Sequence, residues 1–143
     1  MPSDATFKVL NSFHKAAVKV SGGKLGWRGS GMPMLQLTTI GRKSGQPHTV
    51  MLSSPLQEGD RIIIVASRGG DDRHPSWFLN LRGNPDVQVA LAGAPARPMT
   101  ARVAEPPERE RLWARLTADH ANYAGYQRKT SREIPVVVLE PAP

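Results

Sequence analysis

The chain contains no cysteine, and this absence excludes several kinds of chemistry at once. Disulfides, thiolate nucleophiles, zinc–thiolate sites and iron–sulfur clusters all depend on cysteine sulfur. Histidine does not replace it, because no two histidines stand four residues apart as a helical metal-binding pair does. The four are His14, His48, His74 and His120. The adjacent carboxylates Asp71 and Asp72 are expected to point apart into water, so the sequence predicts no metal site and no paired acid–base chemistry there.

Catalytic motifs are also missing from the chain. Neither a Gly-x-Ser-x-Gly nucleophile turn nor a Gly-x-x-x-x-Gly-Lys phosphate loop occurs in the 143 residues. An enzyme with this sequence is therefore expected to take its difficult chemistry from a bound cofactor.

Long apolar runs are absent as well. No stretch approaches the roughly 20 apolar residues that a membrane-spanning helix needs. Lysines at positions 8, 15 and 19 interrupt the apolar positions near the start of the chain, so no signal peptide is expected. The predicted location is the cytoplasm, and contact with the inner face of the cell membrane is left open as an alternative.

Acidic residues are outnumbered by basic ones. The chain has 19 lysines and arginines against 12 acidic residues, which gives a formal net charge of +7. Such a field attracts phosphates, polycarboxylates, nucleic acid or an anionic membrane surface. Charge alone does not choose among these partners.

The N-terminal residues have the apolar spacing of an amphipathic helix over about 4–20. Ser3 or Asp4 is its candidate cap, and Gly22-Gly23 marks its end. Such a helix packs against the domain, lies on a membrane or covers a binding site. We therefore divide the chain into an N-terminal helix and flexible lead-in over 1–31, and a barrel domain over 32–143.

From residue 32 the pattern predicts six β-strands joined by turns that contain glycine or proline. The predicted strands cover 34–40, 47–52, 61–66, 87–91, 97–103 and 134–139. The third is apolar and β-branched, which is typical of a strand buried on both faces. Short helices are expected after Pro75 and after Pro106-Pro107. Because the connections are of hairpin length, we predict a mainly β (α+β) fold, a six-stranded antiparallel barrel with short peripheral helices.

Two basic glycine turns are the best candidates for ligand binding. In Gly41-Arg42-Lys43-Ser44-Gly45, glycines permit close backbone approach, and two cations and a hydroxyl can meet a phosphate. A solvated hairpin tip has the same composition, so the pentapeptide alone leaves both interpretations open. Ala66-Ser67-Arg68-Gly69-Gly70 follows an apolar strand. Its backbone amides either face a planar ligand or simply belong to a loop that ends the strand.

Two tyrosines are candidates for the wall of a pocket. Tyr123 and Tyr126 stand three residues apart and share a face if this segment is helical. An aromatic ring with a polar tip suits a pocket that stacks on a flat substrate, and it suits partial burial in the core equally well. Trp77 is expected in the core under either interpretation.

Five separated segments stand in a characteristic order. They read Leu-Thr-Thr-Ile-Gly-Arg-Lys-Ser-Gly-Gln-Pro (37–47), Val-Ala-Ser-Arg-Gly-Gly (65–70), His-Pro-Ser-Trp-Phe-Leu-Asn-Leu (74–81), Asn-Pro-Asp-Val-Gln-Val (84–89) and Ile-Pro-Val-Val-Val-Leu-Glu-Pro (134–141). Together these segments resemble the deazaflavin-dependent nitroreductase family, actinobacterial reductases that use coenzyme F420. The likeness runs from Met34 to Pro141 and is specific because the motifs keep their order.

The resemblance implies a split β-barrel loaded with the deazaflavin and assigns roles to particular residues. The first basic turn would hold the cofactor's phosphate and acidic tail, and the second loop would border its ring. The implied cofactor contacts are Arg42, Lys43, Ser44, Gly45, Pro47, Met51, Ala66, Ser67, Arg68, Gly69, Gly70, Trp77 and Asn80. The tyrosines at 123 and 126 are the implied catalytic pair, which positions the acceptor or passes it a proton through water. One departure from the family is arginine at 68, where lysine is expected.

The function that the resemblance implies is that of an F420H2-dependent reductase. It would transfer hydride to an activated double bond, a quinone or a similar electrophilic small molecule, and its cofactor's anionic tail would give the positive charge a partner. One alternative is an FMN-dependent, pyridoxamine-oxidase-like enzyme of the same fold. Another is a non-catalytic cofactor carrier or nucleic-acid-binding barrel, against which stands the lack of aromatic residues interleaved with the basic ones. We expect no nucleic-acid partner, and a monomer or a homodimer.

Overall fold

A computed structural model describes residues 28–29 and 32–143, and this part of the chain forms an antiparallel β-sheet with short helices around it. The strands are β1 (Arg28–Gly29), β2 (Met32–Ile40), β3 (Pro47–Ser53), β4 (Leu56–Glu58), β5 (Arg61–Val65), β6 (Asp86–Leu91), β7 (Arg97–Val103) and β8 (Val136–Pro141). The helices are α1 (Ser76–Gly83), α2 (Glu108–Asp119) and α3 (Asn122–Arg128), and a 3-10 turn covers Arg68–Gly70. The predicted N-terminal helix over 4–20 and its caps lie outside the described residues.

The mainly β, antiparallel class is confirmed, but the predicted count of six strands is wrong. All six predicted strands are present, and the described residues add β1, with two residues, and β4, with three. Neither is long enough to show the alternation from which a strand is recognised in a sequence. The turn Glu58-Gly59-Asp60 joins β4 to β5, with Gly59 at φ 60°.

The strands follow the order β1-β2-β6-β7-β8-β5-β4, and β3 pairs with β2 outside this path. Each pairing is antiparallel. The β2–β3 hairpin places Thr38 opposite Thr49, and their hydroxyls are 2.7 Å apart. The first basic turn is therefore the tip of a regular hairpin.

Strands β5 and β8 lie between two apolar clusters. Ile62 and Ile64 belong to the larger cluster together with α1, while Ile63 belongs to a smaller cluster under α2. Strand β8 alternates in the same way, with Val137 in the larger cluster and Val138 in the smaller one. The prediction that the third strand is buried on both faces is confirmed. Burial of each such side chain contributes about 1.5–3 kcal/mol.

Helix α1 begins after Pro75, whose fixed φ of −62° suits a helix start, and ends at Gly83 before Asn84-Pro85. It presents Trp77, Phe78 and Leu81 to the larger cluster. None of the described helices has the length and hydropathy to cross a membrane. The main effect of α1 is to bring its N-terminal half beside the tip of the β2–β3 hairpin.

Candidate functional site

The first basic turn is closed by backbone hydrogen bonds and by one serine. The Gly41 amide donates to Gln46 O at 2.8 Å, and the Gly45 amide donates to Gly41 O at 2.9 Å. Gly45 has φ 70°, a conformation that glycine adopts without strain. Ser44 Oγ accepts from the Gln46 amide at 3.1 Å and lies 3.2 Å from His48 Nε2.

Gly41 is the residue that permits this close arrangement. A Cβ at Gly41 would lie 2.5 Å from Ser44 Oγ and 2.7 Å from His48 Nε2. Both distances are shorter than any stable contact, so a side chain here would displace the serine–histidine pair. His48 was not among the predicted site residues, although the hairpin register places it opposite Thr39.

Arg42 is not a free cation at a solvated tip, because it is bound to α1. Its Nη1 donates to Asn80 Oδ1 at 2.8 Å and to Ser76 O at 3.4 Å, and its backbone amide also donates to Asn80 Oδ1. Asn80 is 5% exposed, and its Nδ2 donates to Thr39 Oγ1 at 3.2 Å. The amide of Asn80 thus fixes the turn to the helix, while Lys43 next to it is exposed.

A cavity of about 500 Å³ lies between the hairpin tip and α1, and we call it the tail-side cavity. Its lining includes Arg42, Lys43, Ser44, His48, Trp77 and Asn80. An arginine keeps several N–H donors beyond those used in fixing its position. Two cations, a hydroxyl and an imidazole around one concave surface form a donor set suited to phosphate or carboxylate.

The second basic turn has an unusual backbone. Arg68, Gly69 and Gly70 have φ values of 46°, 64° and 88°, so three successive residues are left-handed. This conformation costs an arginine about 1–2 kcal/mol relative to its right-handed form. Arg68 Nε lies 4.0 Å from Asp71 Oδ2. The pKa of Asp71 lies below its usual value, chiefly because the backbone amide of Arg73 donates to it.

Arg132 binds the backbone of this turn, and it was not among the residues predicted for the site. Its guanidinium donates to the backbone carbonyls of Ala66 (3.2 Å), Ser67 (2.9 Å) and Asp71 (2.8 Å). Its Nη1 is also 3.3 Å from His74 Nδ1. Burial and the nearby charge of Arg132 lower the pKa of His74, which favours the neutral imidazole.

A second cavity of about 410 Å³ is also lined by Trp77, and we call it the ring-side cavity. Ser67, Arg68 and Gly69 form one wall. The other lining side chains are mostly apolar or aromatic. They include Met32, Met34, Met51, Trp77, Tyr123 and Tyr126. This cavity therefore suits a flat, largely apolar molecule.

The tyrosine pair belongs to both the core and the ring-side cavity. Helix α3 confirms the shared face, with the two rings 6.0 Å apart at 81°. Tyr123 is 6% exposed, and its hydroxyl donates to Met32 Sδ at 3.8 Å. Burial, with a smaller effect of Tyr126, raises the pKa of Tyr123 to about 12. Tyr126 is half-buried beside it, with Lys129 Nζ 5.7 Å from its ring centre.

Four of the predicted site residues do not line either cavity. Gly45 shapes the first turn, and Pro47 begins β3 opposite Ile40. Ala66 is completely buried in the larger apolar cluster. Gly70 is buried against α3, where a Cβ would lie 2.7 Å from the backbone oxygen of Tyr126. The remaining predicted residues are divided between the two cavities, and Trp77 borders both.

Possible metal-ligating side chains are not clustered in the part of the chain that the structure describes. Within residues 28–29 and 32–143, no three histidine or acidic side chains come together as a possible metal site. The three histidines in this part of the chain lie apart, with His48 at the tail-side cavity, His74 beside Arg132 and His120 at the end of α2.

Comparison with known proteins agrees with this geometry. The F420H2-dependent quinone reductase of Mycobacterium tuberculosis strain H37Rv is 43% identical over 134 residues, which cover 91% of this chain and 89% of that protein. A solved F420-H2 dependent reductase is 42% identical, with a TM-score of 0.67 over 76% of this chain and 94% of that one. A solved domain-swapped dimer is 36% identical, with a TM-score of 0.66 over 88% of this chain and 93% of that one.

The five ordered motifs therefore led to the correct kind of enzyme, a reductase that depends on reduced coenzyme F420. The family match covers residues 11–141, nearly all of the sequence. The chain belongs to the F420H2-dependent quinone reductase family.

Proposed function

We propose that this protein uses F420H2 to reduce a quinone or a similar electrophilic small molecule in the ring-side cavity. The observation that carries the proposal is a pair of cavities that share Trp77. One is lined by Arg42 and Lys43, and the other mainly by apolar and aromatic side chains with Arg68 in its wall. F420 has a similar division, since an anionic tail extends from a flat ring.

The tail-side cavity fits a phosphate by its donor set and its shape. Arg42, Lys43 and Ser44 would hold the phosphate and acidic tail, with Asn80 fixing the orientation of the arginine. Gly41 lets Ser44 and His48 pack against the turn, where a Cβ would collide with both. Charge-assisted hydrogen bonds from a fixed guanidinium are stronger and more directional than those from an unrestrained one.

The ring-side cavity fits a flat ring and its acceptor. The wall formed by Ser67, Arg68 and Gly69 would border the deazaflavin, and Met51 and Trp77 would exclude water from its surface. When bound, reduced F420 supplies a hydride. The chain then needs only to hold the acceptor close to the ring and keep water out, which is catalysis by positioning.

A quinone oxygen must also gain a proton for the reduction to be complete. We propose that Tyr126, which is half-buried in the cavity wall, orients the acceptor oxygen and passes the proton from solvent. Tyr123 is protonated at neutral pH as any tyrosine is, and burial raises its pKa further, to about 12. Its role in this proposal is to hold the ring of Tyr126 in place.

Three broader assignments accompany this function. We propose that residues 32–143 are a split β-barrel cofactor-binding domain, preceded by a helix and lead-in over 1–31. The location proposed is the cytoplasm, with the alternative of peripheral contact with the inner face of the cell membrane. The proposed assembly is a monomer or a homodimer, and light scattering on the purified chain distinguishes the two. A related structure is a domain-swapped dimer.

The function is tested by following F420H2 oxidation while menadione, an unsaturated lactone and a nitroimidazole are offered in turn. We expect menadione to be reduced. Absence of oxidation with every acceptor, together with no binding of F420, contradicts the proposal. A yellow preparation that holds flavin and ignores F420 would support the FMN alternative instead, and salt-sensitive oligonucleotide binding without turnover would support the nucleic-acid alternative.

The tail-side assignment has a separate test in Lys43→Glu. Lys43 is exposed, so reversing its charge should weaken F420 binding by about tenfold or more with little loss of stability. Arg42→Glu is a less clean test, because it also breaks the hydrogen bonds to Asn80. The matched control is Arg97→Glu, which makes the same charge change at an exposed position on β7. Equal affinity in Lys43→Glu and Arg97→Glu would show that the first turn does not bind the tail.

A further inference from the structure

Arg132 stands in a segment whose backbone is fixed on both sides. Gln127 Nε2 donates to Arg132 O at 2.7 Å, and Gln127 Oε1 accepts from the Ile134 amide at 2.9 Å. The carbonyl of Ile134 accepts in turn from Arg109 Nη2 at 2.7 Å. Helices α2 and α3 therefore both fix the point from which the Arg132 side chain extends.

The guanidinium of Arg132 uses its N–H donors on the second basic turn. It binds the carbonyls of Ala66, Ser67 and Asp71, so it reaches both ends of a six-residue segment. It also approaches His74 Nδ1 at 3.3 Å. A planar fork of five donors can make these bonds together, whereas a lysine ammonium is a compact point charge on a flexible stem.

These bonds determine the direction of the peptide groups in the turn. In a trans peptide the C=O and the following N–H point in opposite directions. The carbonyls of Ala66 and Ser67 point to Arg132, so the amides of Ser67 and Arg68 point away from it. The ring-side cavity is lined by Ser67, Arg68 and Gly69.

Two backbone hydrogen bonds help to hold the turn, from the Gly70 amide to Ser67 O at 2.9 Å and from the Asp71 amide to Arg68 O at 3.1 Å, but they leave one residue in an unfavourable conformation. Arg68 is left-handed at φ 46°, which is unfavourable for a residue with a side chain. Such a conformation persists where the surroundings fix it, and the carbonyl contacts of Arg132 on either side of Arg68 do so. Gly70 adds a second restraint, because it packs closely against the backbone of Tyr126.

We propose that Arg132 is a positioning residue for the reductase reaction: it holds the Ser67–Gly70 turn so that the amides of Ser67 and Arg68 and the side chain of Arg68 meet the ring of the cofactor. This inference rests on the proposed function. Arg132 does not touch the cofactor in this proposal and acts through the turn. It also links the turn to α3, so the two walls of the ring-side cavity keep a fixed separation.

The test compares Arg132→Gln with Arg128→Gln, an exposed arginine four residues earlier whose replacement removes the same charge. Two probes are titrated by fluorescence: F420, and the deazaflavin chromophore without phosphate or glutamates. Arg132→Gln should weaken both probes by the same factor, about tenfold, because only the ring contacts change. The kcat of Arg132→Gln for menadione should also fall. Lys43→Glu, titrated with the same two probes, should show weaker binding of F420 and unchanged binding of the chromophore. Arg128→Gln should change neither affinity by more than about twofold.

Several outcomes would overturn the role of Arg132. The role is contradicted if Arg132→Gln binds the chromophore with wild-type affinity, or if it loses affinity for F420 alone. It is also contradicted if Arg128→Gln loses as much affinity as Arg132→Gln. Arg132→Lys keeps the charge and the apolar stem, and it should show the same loss if the fork is what matters. If Arg132→Gln does not fold, Arg132→Lys decides the question. Failure of the wild-type protein to bind either probe would contradict the proposed function itself.

Discussion

Gly69 and Gly70 form a matched pair for testing how the second basic turn is built. Both are left-handed, at φ 64° and 88°. A Cβ at Gly69 meets nothing within 4 Å, whereas a Cβ at Gly70 would lie 2.7 Å from Tyr126 O and 3.0 Å from Lys129 Cβ. Alanine at either position carries the conformational penalty, and only alanine at Gly70 also collides with α3.

The expected magnitudes follow from these two contributions. Gly69→Ala should lower the free energy of unfolding by about 1–2 kcal/mol, the cost of a left-handed alanine. Gly70→Ala should lose about 1–3 kcal/mol more, because a backbone oxygen cannot rotate away as a side-chain end can. At about 4 °C per kcal/mol for a chain of this size, the two melting temperatures should differ by about 4–12 °C.

Thermal unfolding of the two variants at neutral pH measures this difference. Equal melting temperatures, or a lower one for Gly69→Ala, would refute the close packing of the turn against α3. Activity gives a second measurement on the same proteins. Because relief of the collision moves α3 and the ring of Tyr126, Gly70→Ala should raise the KM for menadione more than Gly69→Ala does.

Three further predictions concern other parts of the described chain. Gly41→Ala should weaken F420 binding by about fivefold with a small change in melting temperature, because the displaced Ser44 and His48 are exposed side-chain ends that can move into solvent. Tyr123 should ionise near pH 12. The measurement is the near-ultraviolet absorbance of the phenolate in the variant Tyr126→Phe, which has no other tyrosine. The raised pKa of Tyr123 favours the neutral phenol in the folded state, so the stability it contributes is complete below pH 10 and is lost as the pH rises through about 12. Glu58→Gln should cost at most about 1 kcal/mol at neutral pH, because it removes the carboxylate that three arginines share while water can solvate the exposed guanidinium groups. Hydrogen bonding to Arg111 and Arg61 lowers the pKa of Glu58, so that cost should be present above pH 4.5 and disappear as the pH falls through the folded-state pKa, as urea unfolding would show.

The strands and turns could be predicted because their signals are local. The run Arg61–Val65 is β-branched and apolar, and the turn after Glu58 contains its own glycine. Helix α1 has a proline before it and Asn84-Pro85 after it. Strands β1 and β4 could not be found in this way, because two or three residues carry no periodicity.

The residues predicted for the site mostly line the two cavities, but the contacts between them could not be predicted. The two turns and the tyrosine pair were found in the sequence, and the ordered motifs connected them. The bond from Arg42 to Asn80 spans 38 residues, and that from Arg132 to Ser67 spans 65. No local pattern shows which arginine of a basic chain will turn inward. That choice depends on where α1 and α3 pack against the sheet.

Trp77 has a consequence for how proteins of this kind can diverge. It is 8% exposed and borders both cavities from one position on α1. A substitution there selected for a new acceptor also alters the wall of the tail-side cavity, so acceptor range and cofactor anchoring cannot evolve independently at this residue. Positions that line one cavity only, such as Met51, can vary without that constraint. Substitutions that change the choice of acceptor among related proteins should therefore occur at residues around Trp77, and the tryptophan itself should be retained.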